Sequence, residues 1–284
     1  MGIHYGDGFA GNSGRLLIRI SSTTSLYQTN LITELLSDFK NATSLNADFT
    51  IIVRGSGEAL RLLADGSTCI AFVHAPTLEL QYINRDLVER LAIFAYNEFV
   101  IVGPPQDPAN VSSAHSAVEA FRRIYEAGEK GVAKFISRGD MSGTHARELQ
   151  LWRLAGVRPE NKAWYLKSGQ GMAQTLLMAE NIGSYALTDI GTYLVLRGQG
   201  RLEGLVVLKK DPDYLLNVYS MYLSKAPVCN SPAILHVALR LRDYVMSRGQ
   251  ELLELKYSGV LNPVKGREDL VLEAWVKLAS LGQS

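Results

Sequence analysis

The chain begins with a repeated alternation of apolar runs and small polar turns. Leu16 to Ile20, Phe49 to Val53 and Cys69 to Val73 are short apolar runs that predict strands. Leu26 to Phe39 and Glu58 to Ala64 keep their apolar residues at helical spacing. Three successive strand–turn–helix units predict an α/β sheet, and such sheets bind ligands at the carboxyl ends of their strands.

The same alternation continues in the second half of the chain. Ile93 to Val102 is an apolar run that is broken by Tyr96-Asn97-Glu98 and closes on Gly103-Pro104-Pro105. We expect Ser112 or Ser113 to cap the next helix, and Asp189 to cap a later one. Further strands are predicted at Trp164 to Leu166, Tyr185 to Thr188, Leu205 to Leu208 and Tyr219 to Leu223. The rest of the chain is predicted to be helical, and its last helix covers Leu270 to Leu278.

Four predicted turns share one character, since each follows a strand, precedes a helix and consists mainly of small or polar residues. They are Ser22-Thr23-Thr24-Ser25, Gly55-Ser56-Gly57, Arg138 to Thr144 and Gly169-Gln170-Gly171. The first N–H groups of a helix lack internal partners, so they attract anions. Hydroxyl residues before a helix are also ordinary caps that bind nothing, so a single turn leaves both interpretations open. Four such turns indicate two lobes whose helix N-termini converge on one small anion.

Composition narrows the class of protein. The chain has 284 residues, of which 47% are hydrophobic and 20% charged, and its net charge is +1. This is typical of a globular protein with two compact domains or one large one, and it predicts no nucleic-acid partner. No apolar run approaches the roughly 20 residues that span a bilayer. Met1 to Gly14 is Gly-rich and polar, and we expect a flexible leader there.

Two cysteines, Cys69 and Cys229, leave the redox compartment open. They could form one bridge in an oxidising compartment, but their positions do not show whether they meet. We expect each to be a small buried or half-buried residue.

Enzyme signatures are weak in this sequence. Gly139 to Gly143 misses the Gly-x-Ser-x-Gly nucleophile motif by one position, and no nucleoside-triphosphate loop is present. The five histidines show no metal-ligand spacing, and His145 is expected to be a surface or packing residue. We therefore expect no catalytic residue, no cofactor and no site for a metal cation.

Ser137 to His145, with Ser-Arg-Gly-Asp followed by Ser-Gly-Thr-His, resembles the tungstate-binding proteins of ABC transporters. These belong to the periplasmic substrate-binding superfamily, type II. The resemblance covers nearly the whole chain from about Leu16. It includes Gly-Ser-Gly-Glu-Ala-Leu at 55–60, Val-His-Ala-Pro at 73–76, Tyr-Asn-Glu-Phe-Val-Ile-Val-Gly-Pro at 96–104, Trp-Tyr-Leu through Gly-Gln-Gly-Met at 164–172, and Leu-Thr-Asp-Ile-Gly-Thr-Tyr-Leu at 187–194.

The resemblance implies an α/β, two-lobed periplasmic-binding-protein-like fold with the ligand in the interlobe cleft. Two strands would cross between the lobes, at Tyr96 to Gly103 and Asn217 to Lys225. The implied divisions are a leader at 1–14, lobe 1 at 15–98 and 221–284, and lobe 2 at 99–220.

The resemblance also implies the ligand-binding residues. From lobe 1 these are Thr23, Thr24 and Ser56; from lobe 2 they are Arg138, Ser142, Gly143, Thr144, Gly171 and Met172. Asp140 is expected to orient Arg138 without touching the anion. The chain departs from the family pattern at Ser22, Met141, Ile190 and Val218, which leaves the implied fold unchanged but weakens the argument about ligand preference.

The phosphate-binding relatives share the Arg-x-Asp-x-Ser-Gly-Thr spacing, so this motif alone does not separate the anions. Phosphate near neutral pH carries a proton, and a site that selects it gains from a carboxylate acceptor. The relatives have an aspartate after the strand that ends here in His74-Ala75-Pro76. Its absence favours a fully ionised tetrahedral anion, because a buried carboxylate repels a dianion. Tungstate and molybdate are nearly isosteric and are not separated by this argument.

The leading hypothesis is an extracytoplasmic receptor, periplasmic or at the cell surface, that delivers tungstate or molybdate to an ABC transporter permease. We expect a monomer. The alternatives are a cytoplasmic oxyanion-sensing regulatory domain, a phosphate- or sulfate-binding protein, and an anion-handling transferase that depends on His145 or Asp140.

Overall fold

The computed structural model describes residues 14–281, so the leader expected at 1–14 lies, apart from Gly14, outside the described residues. The strands in the described part are β1 (Leu16–Thr23), β2 (Ala47–Arg54), β3 (Ile70–Val73), β4 (Val88–Gly103), β5 (Phe135–Ser137), β6 (Tyr165–Lys167), β7 (Ala186–Asp189), β8 (Val206–Lys209), β9 (Leu216–Ser224) and β10 (Asn262–Pro263). The helices are α1 (Thr24–Gln28), α2 (Leu31–Ala42), α3 (Ser56–Ala64), α4 (Pro76–Asn84), α5 (Ala117–Glu129), α6 (Gly143–Leu154), α7 (Met172–Ile182), α8 (Ile190–Gly198), α9 (Pro232–Val245), α10 (Arg248–Lys256) and α11 (Glu268–Ser280).

Eight of these strands form one mixed sheet. Six follow the order β10-β4-β9-β3-β1-β2, while β7 and β8 pair with the far end of β4. β1 is parallel to both β2 and β3, as strand–helix–strand units require. β9 runs antiparallel to β3 and β4. A separate parallel pair joins β5 to β6.

β4 and β9 cross between two lobes, as the sequence implied. They pair from Val88 with Ser224 as far as Glu98 with Leu216. From Phe99 onward, β4 pairs with β7 and β8 instead. The polar residues Tyr96-Asn97-Glu98 break the apolar run but not the strand, since β4 is continuous there. The buried Asn97 side chain is accommodated because it hydrogen-bonds to other buried polar groups.

Each lobe has its own hydrophobic core. In lobe 1, Phe39, Phe94 and Leu241 belong to a cluster that joins the first helices to α9. In lobe 2, Phe121 and Trp152 pack with their ring centroids 4.4 Å apart, and Phe99 belongs to the same cluster. The predicted α/β, two-lobed fold is therefore confirmed.

Two local predictions are corrected. The helix expected over Leu26 to Phe39 is divided, because Asn30 between α1 and α2 adopts a left-handed conformation with φ of 64°. The cap of α5 is Ser116 rather than Ser112 or Ser113, and its hydroxyl accepts from the Glu119 N–H at 3.1 Å. Asp189 caps α8 as predicted, because its carboxylate accepts from the Thr192 N–H.

Cys69 and Cys229 form a disulfide across 160 residues of sequence. Both are fully buried, as expected, and the bridge that the sequence left open is formed. The bridge joins the start of β3 to the turn before α9, so it connects the first and the returning parts of lobe 1. Sequence reasoning left the pairing open because it does not show which remote segments become neighbours.

Candidate anion-binding site

Each of the four polar turns lies between a strand and a helix, as predicted. In lobe 1 they connect β1 to α1 and β2 to α3; in lobe 2 they connect β5 to α6 and β6 to α7. The site depends on how closely the two lobes bring these turns together.

Thr23 and Thr24 end β1 and begin α1. Thr23 is buried, and its hydroxyl lies 3.1 Å from that of Ser25. The Thr24 hydroxyl accepts from Nη2 of Arg138 at 3.3 Å, across the cleft. One predicted lobe 1 residue therefore touches the predicted arginine of lobe 2.

Ser56 is the first residue of α3 and is fully buried. Its hydroxyl accepts from the backbone N–H of His74 at 3.3 Å, so the hydroxyl proton is free to be donated elsewhere. Gly55, which precedes Ser56, lies so close to Ser142 of lobe 2 that a Cβ there would be 3.0 Å from the Ser142 Cα.

Arg138 follows β5 and is only 2% exposed. Its Nη2 donates to Oδ2 of Asp140 at 2.6 Å, and the other Asp140 oxygen accepts from the Ser142 N–H at 3.1 Å. Asp140 therefore orients Arg138, as the sequence suggested. Nε of Arg138 is buried and has no hydrogen-bond partner within residues 14–281.

Ser142, Gly143 and Thr144 begin α6. The Ser142 hydroxyl accepts from the His145 N–H at 3.2 Å, so Ser142 is an N-cap whether or not it also binds a ligand. The Thr144 hydroxyl is buried without a hydrogen-bond partner in the described part of the chain. Burying such a group unpaired costs about 1–3 kcal/mol, which an anion could offset.

His145 is part of the local structure of this helix terminus. Its Nδ1 accepts from the Met141 N–H at 3.0 Å, while its own N–H is bound by Ser142. Burial lowers the pKa of His145, which favours the neutral imidazole that accepts this bond. This bond to the turn before α6 fits the packing role expected from the sequence.

Gly171 and Met172 are placed differently from the other predicted residues. Gly171 precedes α7 and faces Gln28 of lobe 1, whose Nε2 would lie 3.8 Å from a Cβ at that position. The Met172 side chain is fully buried in a core cluster of lobe 2. Only the backbone of Met172 is therefore suited to bind a ligand.

The two lobes are in contact beside these residues. The N–H of Gly57, in the first turn of α3, donates to the carbonyl oxygen of Met141 at 3.3 Å. A Cβ on Gly143 would lie 2.6 Å from the carbonyl oxygen of His74. Glycine is required at 143 because two backbones from different lobes meet there.

His74 lies among the predicted residues, although it was not predicted as one of them. It follows β3, is 2% exposed and contacts Ser25 and Ser56. Burial, followed by the nearby positive charges of Arg138 and Arg147, lowers the pKa of His74 to about 4. The sequence signals for His74 were its position at a strand end and its place in the Val-His-Ala-Pro motif at 73–76.

Two buried carboxyl groups near the cleft, Asp189 and Glu148, accept hydrogen bonds and have raised pKa values. Asp189 accepts from the N–H and hydroxyl of Thr192, and burial raises its pKa. Burial raises the pKa of Glu148 to about 7, and this carboxyl accepts from Trp152 and Tyr165. Arg147 differs, because it is buried with no carboxylate within 4 Å in the described chain and hydrogen-bonds to Gln150. Burial lowers the pKa of Arg147 to about 10, so it remains charged at neutral pH.

Comparisons with known proteins identify this arrangement. Residues 10–238 match the PBP superfamily domain. The chain belongs to this superfamily. It is 35% identical over 207 residues to a tungstate-binding protein from Peptoclostridium acidaminophilum, which covers 72% of this chain and 68% of that protein. The matched part spans 60 to 68% of the length of the curated relatives.

Solved structures agree with this assignment. The tungstate ABC transporter structure from Geobacter sulfurreducens is 36% identical, with a TM-score of 0.68 over 84% of this chain and 97% of that one. The tungstate-binding protein from Desulfovibrio alaskensis is 30% identical, with a TM-score of 0.69 over 87% of this chain and 98% of that one. Within the PBP superfamily, the chain therefore belongs with the tungstate-binding proteins of ABC transporters, as its motifs indicated.

No helix between residues 14 and 281 is long and apolar enough to cross a membrane. Within the same residues, no group of three or more His, Cys, Asp or Glu side chains could hold a metal ion.

Proposed function

We propose that this chain binds a fully ionised tetrahedral oxyanion, tungstate or molybdate, between its lobes and delivers it to an ABC transporter permease. The observation that carries the proposal is a pair of buried donors on one turn, Nε of Arg138 and the hydroxyl of Thr144. Neither has a hydrogen-bond partner within the described residues. An oxyanion supplies acceptor oxygens of the kind that both groups need.

The proposed ligand residues divide by the group they offer. Hydroxyl donors are Thr24, Ser56, Ser142 and Thr144, while Thr23, whose hydroxyl bonds to that of Ser25, shapes the turn that carries Thr24. Arg138 offers its guanidinium, while Gly143, Gly171 and Met172 offer backbone N–H groups. The Gly57 N–H is excluded from this set because it already bonds to Met141.

The carboxylates around the cleft favour an anion without a proton. Asp140 is held by Arg138 and the Ser142 N–H. Glu79, which follows His74 by five residues, accepts from the Ala75 N–H, Tyr222 and Trp275. These carboxylates are already engaged, so a protonated anion such as phosphate gains little from them.

We also propose the lobe bounds 15–98, 99–220 and 221–284, with one refinement. Leu215 belongs to a lobe 2 core cluster and Leu216 packs against a lobe 1 cluster, which supports placing the second crossing between them.

An extracytoplasmic location is supported by the Cys69–Cys229 disulfide, since such bonds persist in oxidising compartments. We propose that the protein acts as a monomer.

Calorimetric titration with tungstate, molybdate, sulfate and phosphate tests this function. We expect submicromolar binding of tungstate or molybdate, with sulfate and phosphate at least a hundredfold weaker. Submicromolar phosphate binding without a tungstate response would refute the proposal.

A further inference from the structure

His74 lies where the crossing strands meet the proposed donor turns. Its ring stacks on that of Tyr219, a residue of β9, with centroids 4.7 Å apart and planes inclined by 28°. The side chain is buried, and the partners of its ring nitrogens are Ser25 and Asn217. Its two ring nitrogens bond in opposite directions, one toward the crossing strands and one toward lobe 1.

The bond toward the crossing strands fixes the tautomer of His74. Asn97 donates from Nδ2 to the Val260 carbonyl, which leaves its Oδ1 to accept from Nδ2 of Asn217 at 2.8 Å. Oδ1 of Asn217 must then accept from Nδ1–H of His74, at 2.9 Å. The proton of the neutral ring is therefore on Nδ1, and Nε2 carries a lone pair.

The bond toward lobe 1 orders two hydroxyl groups. Nε2 of His74 accepts from the Ser25 hydroxyl at 3.2 Å, which uses the single proton of that group. The Thr23 hydroxyl, 3.1 Å from Ser25, must then donate to it. The orientation of the Thr23 side chain thus depends on Ser25, and that of Ser25 depends on His74.

The backbone of His74 contacts two more of the turns. Its N–H donates to the Ser56 hydroxyl at 3.3 Å. Its carbonyl oxygen lies against Gly143 of lobe 2, with room for a hydrogen but not for a Cβ. One residue therefore touches turns of both lobes and, through Asn217, the strand that joins them.

We propose that His74 is a positioning residue of the oxyanion site, which couples Asn217 of the crossing strand to the Ser25 and Thr23 hydroxyls. This inference rests on the proposed function. It assigns His74 a role in fixing the β1–α1 turn, so that the Thr24 hydroxyl is held at the position that a tetrahedral anion needs, without direct contact between His74 and the anion.

Two matched substitutions separate the bonds that His74 makes. His74→Gln can place an acceptor near the position of Nε2 and keep the bond from Ser25, whereas His74→Asn can reach only Asn217. We expect His74→Asn and His74→Leu to weaken tungstate binding at least tenfold, and His74→Gln by less than threefold. In a Ser25→Ala background, the Gln and Asn variants should bind equally. His236→Leu, at an exposed position of α9, serves as the control.

Calorimetry gives the affinities, and thermal unfolding of the same samples gives the stabilities. If His74 only stabilised the fold, the loss of affinity in each variant would follow its loss of melting temperature. The loss of affinity would then be the same with and without the Ser25 hydroxyl. Either that result or unchanged affinity in His74→Leu overturns the inference while leaving the proposed function intact. If the wild-type chain binds none of the four anions, both proposals fail together.

Discussion

The backbone N–H of Gly57 donates to the carbonyl oxygen of Met141, and this bond joins the first turn of α3 in lobe 1 to the turn before α6 in lobe 2. The N–H groups in the first turn of a helix have no partner inside the helix, so one of them is satisfied here by the opposite lobe. The two lobes therefore touch directly beside the proposed ligand residues.

Gly57→Ala should weaken oxyanion binding about tenfold or more. The new Cβ would lie 2.8 Å from the Met141 oxygen, so the lobes could not approach as closely. Alanine favours a helix over glycine by about 1 kcal/mol, so lobe 1 should not lose stability. Calorimetry measures the affinity, and small-angle X-ray scattering with tungstate should show a larger radius of gyration. Gly198→Ala in α8, where a Cβ meets no atom within 4 Å, should bind normally.

Arg138→Ala should cost at least about 2 kcal/mol of binding free energy, because charge-assisted hydrogen bonds to the anion are lost. Arg138→Lys should recover only part of this loss, since an ammonium group cannot donate from a planar fork. Calorimetric Kd values for the two variants check the order. Equal affinity of wild type and Arg138→Ala would remove Arg138 from the site.

Arg147→Met should weaken binding of a dianion more than binding of a monoanion. Asp140 already pairs with Arg138, whereas Arg147 is a buried charge with no carboxylate within 4 Å among the described residues. Its loss should weaken tungstate binding severalfold, because the attraction between the guanidinium and the dianion disappears. Perrhenate, a tetrahedral monoanion, should lose about half as much binding free energy. Arg242→Met, on exposed α9, controls for net charge.

The difference in unfolding free energy between the wild type and His74→Gln should depend on pH, because the fold holds His74 neutral. The pKa is about 4 in the folded protein and 6.5 when unperturbed, so the unfolded chain binds more protons between these values. Stability due to His74 is therefore complete above pH 6.5 and is lost as pH falls toward 4. The difference in unfolding free energy between wild type and variant should shrink by about 3 kcal/mol over this range.

Urea unfolding at pH 4.5, 5.5 and 7 measures this difference. Other titrating groups, such as Glu148, occur in both proteins and cancel in the comparison. A difference that stays constant with pH would mean that His74 is not held neutral by the fold.

Reduction of the disulfide should destabilise lobe 1. Closing a loop of 160 residues stabilises a folded chain by up to about 5 kcal/mol, because it restricts the unfolded state. Dithiothreitol should lower the melting temperature of the wild type. The Cys69→Ala/Cys229→Ala double variant should melt at the lower temperature and not respond to the reductant. Equal melting temperatures of reduced and oxidised wild type would contradict this.

The sequence alone determined the local elements and the chemistry of the turns. Hydrophobic periodicity located most strands and helices, because burial of one face acts on neighbouring residues. The role of Asp140 in orienting Arg138 was expected along with the family resemblance, and it is a local contact because both residues lie within one turn. The motifs predicted the two-lobed fold and the family, through their resemblance to known proteins.

Only the tertiary structure decided which remote residues meet. Cys69 reaches Cys229, His74 reaches Asn217, and Gly57 reaches Met141 because of strand pairing and lobe closure, which no local pattern contains. The tertiary structure also showed that the Met172 side chain belongs to the core and that β4 is continuous through Asn97. Buried polar groups are stable only where a partner exists, and that partner is usually far away in sequence.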